Sequence, residues 1–144
     1  MATREGSAEW HGGIRDGSGT VSVASGLFTE AQFSFRTRFE EEPGTNPEEL
    51  IAAAHAGCFS MALSARLTEA GHPPESIRTT ARVQLRMVDG NPTITAIDLA
   101  SEGRVPGIDQ QQFAELAAQA KDGCPVSRAL AGVGEITLRA TLKQ

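Results

Sequence analysis

Only two residues of this chain are cysteines and only three are histidines. The histidines, His11, His55 and His72, show no paired ligand spacing, so a metal centre is a poor reading and no metal is expected. Lysine and arginine nowhere cluster, and the formal net charge is −5. Nucleic acid and anionic membrane surfaces are therefore unsuited as partners. The glycine-rich stretch from Gly12 to Gly19 lacks the Gly-Lys-Ser/Thr ending of a phosphate loop and the spacing of a dinucleotide fingerprint, and reads as a hairpin turn. No run is expected to cross a bilayer: the most apolar one, Leu50 to Ala65, is alanine-rich, contains His55 and is too short. The polar start, Met1 to Gly6, has no apolar segment behind it, so no secretory signal and a cytoplasmic, reducing compartment are expected. Static structural disulfides are disfavoured there. Internal repeats and low-complexity tracts are absent.

What is present suits one domain, 1–144, with a real core: 40% of residues are apolar and 22% charged. Ser7–His11 and Thr20–Ala24 read as short strands, and Trp10 as a packing residue. Ala31 to Phe39 reads as a clearer strand, with Phe33, Phe35 and Phe39 on one face and Arg36 and Arg38 together on the other. Gly44-Thr45-Asn46-Pro47-Glu48-Glu49-Leu50 is a helix start: Asn46 as N-cap, Pro47 as first helical residue, Glu48 and Glu49 at the positive end of the dipole. The helix should run to about Ala70, with Gly71 beyond its end and Pro73-Pro74 stopping it. Its middle is apolar nearly all round, more than one chain of this size can readily cover, so burial against a second copy is expected.

Alternation predicts a strand over Thr80–Val88, a turn at Asp89-Gly90-Asn91-Pro92 and an antiparallel partner over Thr93–Ser101. After the break at Val105-Pro106-Gly107, Asp109 with Gln112 resembles a capping box, and Phe113, Leu116, Ala117 and Ala120 make a helical stripe ending at Gly123. A short helix from Pro125 and a strand over Glu135–Leu142 close the chain. The order of strands, helix, two strands, helix, strand predicts an α+β fold with antiparallel pairing.

Chemistry centres on the cysteines. Cys58 lies mid-helix in an apolar run, without help from a helix dipole, and needs a cation from another element to become a thiolate near neutral pH. Cys124, before Pro125, can cap the next helix, where the dipole favours the thiolate, so local physics nominates it as the more acidic. The two are a staple, unrelated buried thiols, or a reactive pair assembled by folding. Arg36 and Arg38 are the candidate cations, and a carboxylate such as Glu48 beside an arginine would orient its guanidinium. His55, three residues before Cys58, is a helical neighbour, but nucleophile–histidine pairs normally come from different elements, and a core or interface histidine is the better reading.

Four motifs, in order and at familiar spacing, resemble the OsmC/Ohr family of thiol-dependent organic hydroperoxide reductases over roughly Ser7 to Leu142. They are Gly44 to Leu50, His55-Ala56-Gly57-Cys58-Phe59-Ser60-Met61-Ala62-Leu63, Val105-Pro106-Gly107-Ile108 and Gly123-Cys124-Pro125-Val126-Ser127. Thr37-Arg38-Phe39 and Pro125-Val126-Ser127 place the resemblance nearer the osmotically inducible OsmC branch. It implies antiparallel sheets around a long buried central helix in an intertwined homodimer. It also implies Cys58 as peroxidatic thiolate, Cys124 as resolving thiol, Arg38 as activating cation and Glu48 as its orienting carboxylate. The implied activity is peroxidase: an organic hydroperoxide oxidises Cys58, a Cys58–Cys124 disulfide forms, and an external dithiol reductant of lipoyl type restores the thiols, in defence against oxidative or osmotic stress. No bound cofactor is implied. Glu48 and Cys58 are ten residues apart, ~15 Å along a straight helix, so either Arg38 and Glu48 reach Cys58 from a partner subunit, as an intertwined dimer would allow, or the segment after Glu48 is not straight helix. Two competing readings are a non-enzymatic thiol redox sensor or binding protein, whose output surface is not visible, and a hydrolase pairing Cys58 with His55.

Overall fold

The computed structural model describes residues 1–144 and divides into two compact units, Met1–Leu50 and Ile51–Gln144. The first unit holds β1 (Gly6–His11), β2 (Ser18–Val23) and β3 (Ala31–Phe33), an antiparallel sheet in that order. Its register sets Gly19 between Trp10 and Phe33, whose rings meet above it with centroids 5.5 Å apart. The loop between β1 and β2 is the glycine-rich turn read from the sequence, closed by Gly17 N–H donating to the Gly13 carbonyl at 2.8 Å.

The third predicted strand is corrected after three residues. From Phe35 to Phe39 the chain forms a helix, α1. The cause is local: Ser34 Oγ accepts from the Thr37 N–H (3.3 Å) while Thr37 Oγ1 accepts from the Ser34 N–H (2.8 Å), a reciprocal cap that overrides the alternation of apolar residues. Phe35 and Phe39 are then one helical turn apart, with ring centroids at 4.8 Å, and the two arginines no longer share a face. Arg36 turns to Glu40 and Glu42, Arg38 to Glu48.

Helix α2 (Pro47–Glu69) starts at the end of the first unit and supplies the second unit's core helix. Asn46 caps it, its Oδ1 accepting from the Glu49 N–H at 2.8 Å. At the far end, the His72 N–H bonds the Leu67 carbonyl (2.8 Å) and the Gly71 N–H the Thr68 carbonyl (3.0 Å). This paired closure needs a left-handed residue, and Gly71 takes φ +87°. His55, Phe59, Leu63 and Leu67 form the buried stripe; Ala54, Gly57, Met61 and Ala65, on the opposite side, are exposed in the single chain. Thus one chain covers one face of a helix expected to be buried on most. By length and composition α2 is able to cross a bilayer, a point the shorter apolar run in the sequence did not convey. Its stripe of fully buried core residues nevertheless belongs to the packed interior of the second unit.

The second unit's sheet runs β4 (Ser76–Val88), β5 (Asn91–Arg104), β6 (Glu135–Lys143). β4 and β5 form a long antiparallel hairpin through the two-residue turn Asp89-Gly90, both residues at positive φ. The expected all-antiparallel pairing is corrected at the other edge: β6 runs parallel to β5. The connection between them contains α3 (Gln110–Gly123) and α4 (Pro125–Ala129), and a crossover of this length is what parallel neighbours require. Asp98 on β5 joins all three strands, accepting from Gln84 Nε2 on β4 and Thr137 Oγ1 on β6, each at 2.7 Å. These bonds hold its carboxyl below the ordinary value. Asp109 caps α3 through the Gln112 N–H (2.8 Å), and Phe113, Ala117 and Ala120 are buried as the stripe predicted. Phe113 lies against Gly103, where an added Cβ would come within 2.6 Å of its ring. The α+β class read from the sequence is the class observed.

Candidate active site

The second unit brings the two cysteines together. Cys58 rides on α2 and Cys124 sits at the junction of α3 and α4, 66 positions later, yet their Sγ atoms are 3.1 Å apart. Both are free thiols. The α3 helix ends there because the Cys124 N–H still bonds the Ala120 carbonyl (2.8 Å) while its backbone turns extended. Pro125 then starts α4 in a new direction, with Cys124 as its N-cap. The result is a dithiol with unequal access: Cys124 is fully buried and Cys58 only partly.

Their electrostatics are unequal in the opposite sense. Burial, followed by the neighbouring Cys124, pushes the Cys58 thiol up. Burial also opposes the Cys124 thiolate. It is outweighed there by the Ser127 N–H, the Cys58 thiol, the Ser127 hydroxyl and the Val126 N–H, so that the Cys124 thiol falls below its ordinary value. Cys124 makes no conventional side-chain capping bond, but these groups at the start of α4 face its sulfur and favour negative charge on it. Within one chain, then, the accessible sulfur is not the acidic one, as the local reading of the sequence held.

Arg38 and Glu48 form the other pair, inside the first unit. Arg38 Nη2 and Nε donate to Glu48 Oε1 at 2.8 and 3.1 Å, and Nε also reaches Oε2 at 3.3 Å. The carboxylate is buried while the guanidinium stays over one-third exposed, a fixed cation with donors to spare. Asn46 sets the pair: besides capping α2, its Nδ2 donates to the Thr37 carbonyl at 3.0 Å and so ties the residue before Arg38 to the turn that carries Glu48.

His55 does not pair with Cys58. Its Nε2 lies 2.7 Å from Ser127 Oγ in the interior, and its Nδ1 is buried without a partner. Burial pushes its pKa down, keeping the imidazole neutral. The hydrolase arrangement is thereby absent, and the core-histidine reading holds. Ser127 stood in the sequence only as the end of the Gly123–Ser127 motif, with no role given to it. Its signal was its place three residues after a helix-capping cysteine, where a short side chain turns back toward the cap. Among the described residues, no group of three or more His, Cys, Asp or Glu is arranged to hold a metal ion.

Known proteins match along nearly the whole chain. The family model for OsmC-like protein covers residues 39–139. Peroxiredoxin OsmC of Escherichia coli K12 is 55% identical over 140 residues, 97% of this chain and 96% of that protein. An organic hydroperoxide resistance protein of Xanthomonas axonopodis pv. citri is 32% identical over 96 residues, 66% of each chain. Among solved structures, the organic hydroperoxide resistance protein OhrB of Bacillus subtilis superimposes with a TM-score of 0.71 at 25% identity, covering 96% of this chain and 98% of that one. With a family model matched over most of its length, a close relative matched end to end and a shared fold, the chain belongs to the OsmC-like protein family.

Proposed function

We propose that this protein is a thiol peroxidase that reduces organic hydroperoxides to alcohols. The observation that carries the reading is the pair of free thiols at 3.1 Å, of which only Cys58 is open to solvent. The names of its relatives, a peroxiredoxin and an organic hydroperoxide resistance protein, point the same way.

The Cys58 thiolate attacks the terminal peroxide oxygen of ROOH. The O–O bond breaks, its electron pair leaves on the alkoxide, which takes a proton to become ROH, and Cys58 is left as a sulfenic acid. The Cys124 thiolate then attacks the Cys58 sulfur, expels hydroxide and closes a disulfide. An external dithiol, of lipoyl type by family resemblance, reduces it by exchange.

Charge on Cys58 must be supported against burial and against the competing pull of Cys124. In this reading Arg38, oriented by Glu48, provides that support and stabilises the developing alkoxide. Glu48 and Cys58 are separated by ten helical residues, ~15 Å of rise, so the Arg38–Glu48 pair serves Cys58 of a second copy. The uncovered stripe of Ala54, Gly57, Met61 and Ala65 gives such a homodimer a contact face.

The test is intact mass and peptide mapping after one equivalent of an alkyl hydroperoxide. Wild type is expected to lose two hydrogens with a Cys58–Cys124 crosslink, and Cys124→Ser to trap oxidised Cys58. Thiols that stay reduced would overturn the reading.

A further inference from the structure

The outer face of the β4–β5–β6 sheet carries a group of cations that the proposed peroxidase cycle does not use. Lysine and arginine do not cluster along the chain, but the sheet brings Arg78 and Arg82 of β4 and Arg139 of β6 around one hollow of about 320 Å³. Ile77, Ala81 and Val83, the alternate residues of β4, pack into the core with Phe59 and Leu63 of α2. The hollow therefore faces away from that helix. The register fixes its spacing: Thr80 pairs with Ala100, and Ala100 with Arg139. Arg78 and Arg82 stand two residues to either side of Thr80, ~7 Å along the strand, and Arg139 stands two strands across, ~10 Å. All three Cα atoms are then ~7 Å from one point between Thr80 and Ala100. An arginine side chain spans that distance. The floor there is low, an alanine with the short side chains of Thr80 and Thr141 at its edges.

None of the three guanidiniums has a carboxylate within 4.0 Å. Glu102 also lines the hollow, but its partner is Lys143 at 3.7 Å. Asp98, opposite Arg82 in register, accepts from Gln84 and Thr137 at 2.7 Å each and feels Arg82 only through space. Three like charges so placed repel one another, and on a chain of net charge −5 they reverse the local sign. We propose that this hollow binds a small soluble ligand bearing a phosphate group, held by Arg78, Arg82 and Arg139 with the Thr80 and Thr141 hydroxyls. Each guanidinium is a planar fork of donors, and forks arriving from three sides match the several oxygens of a tetrahedral phosphate. A carboxylate, with two oxygens, is filled by one fork. The volume is that of a small-molecule site. A concave site on a net negative chain is poorly suited to a bilayer surface. The inference is independent of the peroxidase reading, and neither falls with the other.

The experiment is a proton–nitrogen NMR titration of the whole protein with sodium phosphate, at an ionic strength held constant with sodium chloride. Saturable shifts are expected at the Thr80 and Ala100 amides and at the Nε–H groups of the three arginines. Arg82→Gln and Arg139→Gln should each weaken the apparent affinity about tenfold or more, the loss of a charge-assisted fork. Both side chains are exposed, so the variants keep the fold. Arg86→Gln is the control. Arg86 is also exposed on β4 but lies outside the hollow, bonded to Gln84 at 3.0 Å, and its loss should change the affinity by less than about twofold. Shifts that do not saturate would overturn the proposal, as would acetate binding as tightly as phosphate, or equal losses in Arg86→Gln and Arg82→Gln. Capture by phosphatidylcholine vesicles containing phosphatidic acid, without saturable binding of free phosphate, would also overturn it, because the ligand would then be a lipid surface.

Discussion

At the scale of single residues, the site divides reachability from acidity. Cys58 is partly exposed and burial pushes its thiol up, whereas Cys124 is sealed away and, against its burial, has its thiol pulled down by the groups at its helix start. In the proposed peroxidase cycle that separation would suit sequential roles: Cys58 attacking with help from an external cation, and Cys124 resolving from its helix start. His55 adds a pH dependence. Burial lowers its folded pKa, so the neutral form is the one the fold accepts, while the unfolded chain binds a proton below about 6.5. The contribution of His55 to stability is full above that value and is lost as pH falls toward the folded pKa. The denaturant midpoint of wild type is therefore expected to fall between about pH 7 and about pH 5 more steeply than that of His55→Gln, whose amide does not titrate. Equal slopes would remove His55 as the cause.

At the scale of elements, five residues decide where Arg38 points. An extended chain over Phe35–Phe39 would put Arg36 and Arg38 on one face; the Ser34–Thr37 cap turns it into α1, and Arg38 alone meets Glu48. Such a short helix has little intrinsic stability, so it leans on its cap. Ser34→Ala is expected to cost about 1 kcal/mol by loss of the cap. If the peroxidase reading holds, it should also lower kcat/KM for an alkyl hydroperoxide at least several-fold, with Ser34→Thr retaining most of both. Denaturant titration and steady-state turnover check the two parts separately. Unchanged turnover in a measurably destabilised Ser34→Ala would remove α1 from the task of presenting Arg38.

At the scale of the whole molecule, α2 is the unfinished element. Met61 keeps 76% of its surface in the single chain, in line with Ala54, Gly57 and Ala65, small residues that let another surface come close. Met61→Glu is expected to hold the protein at the 15.2 kDa mass of one chain in analytical ultracentrifugation, where wild type, on the proposed homodimer, is expected to sediment at twice that mass. It should abolish most peroxide turnover while leaving diamide able to crosslink Cys58 to Cys124, because the dithiol lies within one chain and the Arg38–Glu48 pair is proposed to come from the other. A monomeric wild type with full turnover would refute that division of the site.

Much of this was legible in the chain alone, and for stated reasons. Asn46-Pro47 and Gly71 mark α2 because caps and left-handed glycines are local chemistry, written in a few adjacent residues. Asp89-Gly90 and the alternation beside it mark the hairpin for the same reason. Cys124 was identified as the more acidic thiol from its place before Pro125. What local pattern misjudged was Ala31–Phe39, where phenylalanines two apart satisfy a strand and a capped helix equally until Ser34 and Thr37 bond. The parallel course of β6 also lay beyond it, since alternation says which face is apolar and nothing about direction. Local sequence by itself marked the caps and turns that end most elements and singled out Cys58 and Cys124 as the candidate reactive residues. Only tertiary structure decided that two thiols 66 positions apart stand at 3.1 Å and that His55 reaches Ser127 rather than Cys58, because contacts between distant segments depend on how helices and strands pack and not on what neighbours them in the chain.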